Sequence, residues 1–421
     1  MKVLLISYFI APLSKIGSIR WTKISKYLKR KYDVKIDVLT MKKDFDINPK
    51  LYTIEKKDIL LERDLAYFNK YIALDYGLMA SIYRYFFYQF REIAKKRKSH
   101  DHVTKEIIAE NKGRGIKLDR GLEPVYEKKQ NRSLRNKLIE IKERVETKDS
   151  KTQCLRYLKK NGMDKYDVVI STYSPIWTHF VAKKIKSFKR DIYWIADFRD
   201  QYAFDLLEQK EFERRKEFAC RHLGNADAIF KVADDINLFL PKNFSDHFIP
   251  NGYDPEEAVK SVEPRKFNFL FTGSLYEGKR DFSPLFQAIK ELEREKRVLI
   301  DDISVDYAGA DGAEIVKMAS KWNLSSIVID YGGLSRKDTL KLQGSCAILL
   351  LADWNTKYNK PFWSGKAYEY MMAKKPIVFI MSGDVPYSRP YKEIHLLGGV
   401  CYEEARPEKT MEEVKDFIEM Q

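Results

Sequence analysis

From residue 267 onward the chain alternates short apolar runs with amphipathic stretches, and this alternation constrains the fold more than any other feature. FNFLFTGS, ISVDYAG, IVIDYGG, CAILLLA and PIVFIMS each read as a strand, with a helical stretch between one and the next. Apolar strands separated by helices form a parallel sheet covered on both faces. The first half begins the same way. VLLISYF, Val3–Phe9, reads as a strand, a helix capped by Ser18 follows with Trp21, Ile24 and Leu28 on one stripe, and VKIDVLT is the next strand. YDVVIST, DIYWIADF and ADAIF continue the series. Pro241, Pro250, Gly252 and Pro255 punctuate the chain between the halves. The predicted organisation is an α/β N-terminal domain over 1–240, a linker over 241–266, a Rossmann-like C-terminal domain over 267–406 and a final helix over 407–421. A chain of 421 residues suits two such cores of about 200 residues each.

Charge is unevenly placed along the chain. Its formal net charge is +16, and residues 91–160 carry 22 Lys and Arg against 11 Asp and Glu, a net +11. Leu65–Phe90, just ahead, is dense in aromatics. Together they predict a helical insertion over about 60–160. Its aromatics either pack on the N-terminal core beneath a solvated charged face or meet the headgroup zone of an anionic membrane, and both can hold at once. No nucleic-acid motif accompanies the basic stretch, so no specific nucleic acid is expected as a partner. Four scattered cysteines give neither a zinc spacing nor a disulfide framework. MKVLLISYFIAPL has the lysine and apolar run of a signal peptide but no small-x-small site after it, and a buried strand is the expected reading. No apolar run of about 18 residues is present. The expected location is cytoplasmic, peripheral at most on the inner face of the membrane.

The stretch SGKAYEYMMAKKP, Ser364–Pro376, carries the most chemistry. Gly365 opens a helix, and a helix N-terminus behind a glycine suits a phosphate. Lys366 and Glu369 share a face at i,i+3 spacing, as either a surface ion pair or a working pair. A carboxylate one turn into the helix can accept hydrogen bonds from two ribose hydroxyls. Asp197, Arg199 and Asp200 end the strand read in DIYWIADFRDQYAFD, where open α/β sheets bind ligands, or they form a structural salt bridge. His179 reads as a positioning group, a general base or a structural histidine. Asp44 and Asp46 have metal-ligand spacing inside a stretch that reads as a solvated loop.

In combination these pieces resemble the retaining nucleotide-sugar glycosyltransferases of GT-B fold, in particular glycosyltransferase family 4 of bacterial surface-polysaccharide pathways. The resemblance rests on SYFIAPLSKIGSIRW, WIADFRDQY, IPNGYDP, FTGSLYEGKRD and LLLADWN followed by SGKAYEYMMAKKPI. It covers most of the chain outside about 60–160. It implies two facing Rossmann-like domains, with the donor held mainly by the second and the final helix returning to the first. By that likeness Gly273 and Ser274 approach the donor diphosphate, Lys279 or Arg280 neutralises it, and Ser364, Gly365 and Lys366 sit beside it. Glu369 would take the ribose hydroxyls and Gly17 would bring the N-terminal loop to the same group. Asp197, Asp200 and His179 would orient the acceptor, a glycan or lipid-linked glycan. No cofactor or metal is implied beyond the donor. Two departures stand out: family members often carry a second Glu where Pro361 stands, and many have Arg where Ser274 stands. A nucleotide-sugar 2-epimerase and a non-catalytic basic membrane- or nucleic-acid-binding protein are the alternative readings.

Overall fold

We describe the chain from a computed structural model covering residues 1–13, 16–43, 62–87, 125–200, 209–233, 236, 245–264, 266–354, 365–383, 391–396 and 398–420. Asp44, Asp46 and Ser364 lie outside these residues.

Two parallel sheets form the framework. The first contains β1 (Lys2–Ile6), β2 (Lys35–Met41), β3 (Lys70–Leu74), β4 (Val168–Tyr173), β5 (Tyr193–Phe198), β6 (Ala228–Lys231) and β7 (Asp246–Phe248), in the order β3-β2-β1-β4-β5-β6-β7. The second contains β8 (Phe267–Thr272), β9 (Ile303–Ala308), β10 (Val328–Asp330), β11 (Ile348–Trp354), β12 (Ile377–Ser382) and β13 (Val400–Glu403), in the order β10-β9-β8-β11-β12-β13. Both orders reverse beside the first strand of the sheet, which is the doubly wound pattern and leaves a crevice at the C-terminal strand ends. Period-two burial explains why these runs are apolar throughout. Leu4 and Ile6 point to one core of the first sheet and Val3 and Leu5 to the other. In the second sheet Phe269, Phe271, Ile348 and Leu350 face one core, while Leu270, Leu349 and Leu351 face its opposite. Each such side chain contributes about 1.5–3 kcal/mol on burial.

Four boundaries differ from the sequence reading. Lys70–Leu74 is an edge strand inside the stretch expected to be helical, paired with β2 from Asp37↔Lys70 to Met41↔Leu74. The first sheet also reaches past residue 240, because Asp246–Phe248 pairs with β6. The first helix runs Ile16–Tyr32, so Ser18 lies inside it rather than at its cap. The final helix, Pro407–Met420, does not return to the N-terminal half. Val414, Phe417 and Ile418 enter the core of the second sheet beside Phe286 and Ile289, and Lys415 lies 3.5 Å from Glu291. Its apolar face is satisfied by the nearest helix of its own sheet. The expected insertion otherwise holds a helix over 78–87 and the long helix Val125–Asn161.

Candidate functional site

The C-terminal strand ends of the second sheet carry a cationic cradle. Gly273 follows β8 with φ +124°, a conformation that favours glycine. A Cβ built there would lie 2.2 Å from Nζ of Lys366, so the tip of the lysine rests against the bare glycine. Lys366 belongs to the helix Gly365–Ala373 and is 8% exposed. Its Nζ lies 4.7 Å from the Phe271 ring centroid, and among the described residues no acid pairs with it. Burial pushes its amine down to about 7, with the like charge of Arg280 adding to the effect and Glu369 opposing it. An amine so placed gains most from an anion.

The loop after Gly273 is braced from below. The Tyr307 hydroxyl donates to the Gly273 carbonyl (2.8 Å) and accepts from the Asp311 N–H (2.9 Å). Asp311 Oδ2 accepts from Ser274 Oγ and the Leu275 N–H, each at 2.8 Å. Ser274 is thereby committed to holding the loop. Tyr276 and Glu277 (φ 52° and 57°) turn the chain back so that Lys279 and Arg280 flank Trp354. Lys279 Nζ is 5.3 Å from the Trp354 ring and Arg280 stacks 4.6 Å from the Tyr276 ring. Arg280 Nη1 donates to the Ser274 carbonyl at 3.1 Å, while its buried Nε has no acceptor among the described residues. Asp353, at the end of β11, is pushed up to about 6 by burial against the pull of Arg280.

Glu369 faces another way. Its Oε1 accepts from Arg336 Nη1 at 2.5 Å, and Arg336 Nη2 donates to Glu257 Oε2 at 2.7 Å. Arg336 starts the helix capped by Ser335, whose hydroxyl accepts from the Asp338 N–H. Burial works against the guanidinium charge, yet Glu369 and Glu257 outweigh it and raise its pKa. Glu257 also lies 2.6 Å from Lys23 Nζ on the first helix. Lys26 joins Asp254 (2.6 Å) and Glu256 (2.8 Å), and Arg30 pairs with Glu256. A continuous ion-pair chain therefore runs from the first helix through residues 254–257 to Glu369. Arg336, Glu257, Tyr307 and Asp311 were not among the sequence-derived site residues.

The N-terminal strand ends sort the remaining candidates. Arg199 occupies the space a side chain at Gly17 would need, so the glycine lets the first turn of the Ile16–Tyr32 helix, where the sequence reading had a loop, lie against the guanidinium. Arg199 Nε donates to the Tyr173 carbonyl at 2.9 Å and lies 3.6 Å from Asp200, whose carboxylate is exposed. Asp197 is fully buried: Oδ1 accepts from Arg20 Nη2 at 2.9 Å and Oδ2 from Trp21 Nε1 at 2.8 Å. Arg20 Nη1 also donates to the Pro250 carbonyl, so Asp197 helps tie the crossing segment to the first helix. His179 lies in the core, 4.7 Å ring to ring from Phe198, with Nδ1 2.7 Å from Ser171 Oγ. Burial pushes it down to about 3, so it is neutral at physiological pH. Its neighbours make it a core histidine rather than a group facing the crevice. Among the described residues no three His, Cys, Asp or Glu side chains cluster as a metal site.

Comparison with known proteins places the architecture. No family model matches the sequence, and no curated protein matches it. Solved structures do match. Sucrose-phosphate synthase from Thermosynechococcus elongatus superposes with a TM-score of 0.56 at 13% identity, covering 100% of this chain and 89% of that one. TarM superposes with a TM-score of 0.53 at 10% identity, covering 99% and 92%. The chain thus has the GT-B fold, two Rossmann-like domains built on sheets of seven and six strands.

Proposed function

We propose that the protein is a glycosyltransferase that moves a sugar from a nucleoside-diphosphate donor onto a glycan or lipid-linked glycan. The observation that carries this reading is Lys366, a buried amine without an acid partner among the described residues, packed on the glycine that follows β8. A donor diphosphate at the start of the Gly365 helix would meet that amine, the helix N-terminus and Arg280 together. Negative charge grows on the diphosphate as the sugar departs, and cations fixed beforehand at that place stabilise the transition state. Lys279 and Arg280 supply a point charge and a planar donor respectively. Side chains supply all the positive charge this account needs, so no metal enters it. Glu369 keeps Oε2 for ribose hydroxyls while Arg336 holds Oε1. The N-terminal half, with Arg199 and Asp200 at its strand ends, takes the acceptor. Attack from the face the diphosphate leaves would retain the anomeric configuration, and the diphosphate itself would accept the acceptor's proton. The two halves would close on the donor to exclude water.

Calorimetric titration of nucleoside diphosphates into the wild type and Glu369→Ala tests the reading. Loss of a charged hydrogen bond of about 1.5–3 kcal/mol is expected to weaken binding at least tenfold. An unchanged dissociation constant would remove Glu369 from the site. Incubation with donor and no acceptor separates transfer from epimerisation, since only an epimerase converts the free donor to an isomer.

A further inference from the structure

We propose that the outer face of the 78–87 helix docks on an anionic lipid surface. The helix reads LMASIYRYFF, and its two sides differ completely. Ala80 (1% exposed) and Arg84 (8%) face inward. Ala80 joins the N-terminal core, and Arg84 pairs with Glu146 of the long Val125–Asn161 helix and stacks 4.1 Å from the Tyr76 ring. Leu78 (77%), Met79 (63%), Ile82 (39%), Tyr83 (39%), Tyr85 (54%) and Phe86 (66%) face out. At 3.6 residues per turn these six span an arc of about 160°. The only charged residue of the helix, Arg84, is turned inward. A protein that works in water alone seldom leaves so continuous an apolar stripe uncovered.

Charge identifies the occupant. Arg91, Lys95, Lys96, Arg97 and Lys98 follow the helix within eleven residues of Phe87, and residues 91–160 carry a net +11. An apolar stripe edged with tyrosine and followed by a basic run is the composition that lies in the headgroup zone of an anionic bilayer. Among the described residues no helix is long and apolar enough to cross a membrane, so this contact would be a docking and not a span. The Arg84–Glu146 pair fixes the helix to the N-terminal half, which would orient that half's strand ends relative to the bilayer. The inference stands independently of the nucleotide site.

Cosedimentation of the full-length protein with vesicles tests it. Vesicles of phosphatidylcholine with phosphatidylglycerol are expected to bind the protein at least tenfold more strongly than phosphatidylcholine alone. Leu78→Glu with Phe86→Glu is expected to abolish that binding while leaving the melting temperature and nucleoside-diphosphate affinity unchanged. If that pair fails to fold, Leu78→Gln with Met79→Gln, at the two most exposed aliphatic positions of the helix, is expected to weaken binding several-fold. Vesicle binding unchanged in a folded variant would overturn the proposal. So would no binding by the wild type, or a wild-type dimer that the same substitutions split into monomers.

Discussion

Arg336 Nη1 lies 2.5 Å from Glu369 Oε1, and the same guanidinium reaches Glu257 Oε2 at 2.7 Å. One cation therefore serves a carboxylate of the Gly365 helix and a carboxylate of the segment that crosses between the sheets. Removing it would leave the Glu369 carboxylate, with a side-chain exposure of only 12%, without its cation, and the Glu257 carboxylate, at 8%, with Lys23 alone.

Arg336→Ala is expected to cost about 3–5 kcal/mol, the usual consequence of breaking a buried pair from one side. Chemical denaturation measures it. Arg336→Lys is expected to recover only part of the loss, because an ammonium cannot span two carboxylates in a planar fork. A loss below about 1 kcal/mol in the alanine variant would mean the pair is screened by solvent.

Lys366 gives a pH dependence whose sign is fixed by its position. Its amine titrates near 7 in the fold and near its ordinary 10.5 when unfolded. Between those values the unfolded chain holds a proton that the fold does not, so stability of the unliganded protein should rise with pH across that window. Anion binding runs the other way. A diphosphate favours the protonated amine, so affinity should fall as pH rises above about 7, by up to tenfold per unit. Titrations at pH 7 and 8.5 read this directly, and Lys366→Met should flatten both trends.

His179 gives a dependence of the same sign at lower pH. Its imidazole titrates near 3 in the fold and near 6.5 when unfolded. The unfolded chain therefore gains a proton first as pH falls, and stability should drop between about 6.5 and 3. His179→Gln should lessen that drop while leaving the rate–pH profile near neutrality unaltered. A profile whose limb near pH 6.5 vanished in the variant would restore the histidine as a working base.

The strand framework was legible because burial on both faces leaves continuous apolar runs, as in Val3–Ile6 and Ile348–Leu351. Lys70–Leu74 was hidden because an edge strand is only partly buried and it lies in a stretch dense in aromatics. The amphipathy of Pro407–Met420 revealed an apolar face but not which sheet it would cover. Spacing paired Lys366 with Glu369, yet in the fold Arg336 takes the carboxylate and Lys366 turns to Gly273. A guanidinium 33 residues away in sequence leaves no local pattern; only the packing of the two helices brings it there. Asp197 looked like a ligand group because it ends a parallel strand. Arg20 and Trp21, contributed by the first helix, use both its oxygens.

The central claim is that Lys366 meets a donor diphosphate on the Gly273 loop. Calorimetry with UDP, GDP, ADP and dTDP at pH 7, on the wild type and Lys366→Met, tests it most directly. One of the four is expected to bind the wild type, and the variant, folded and of similar stability, is expected to bind that ligand at least tenfold more weakly. Equal affinity in the two proteins, or no binding of any of the four to the wild type, would contradict the account.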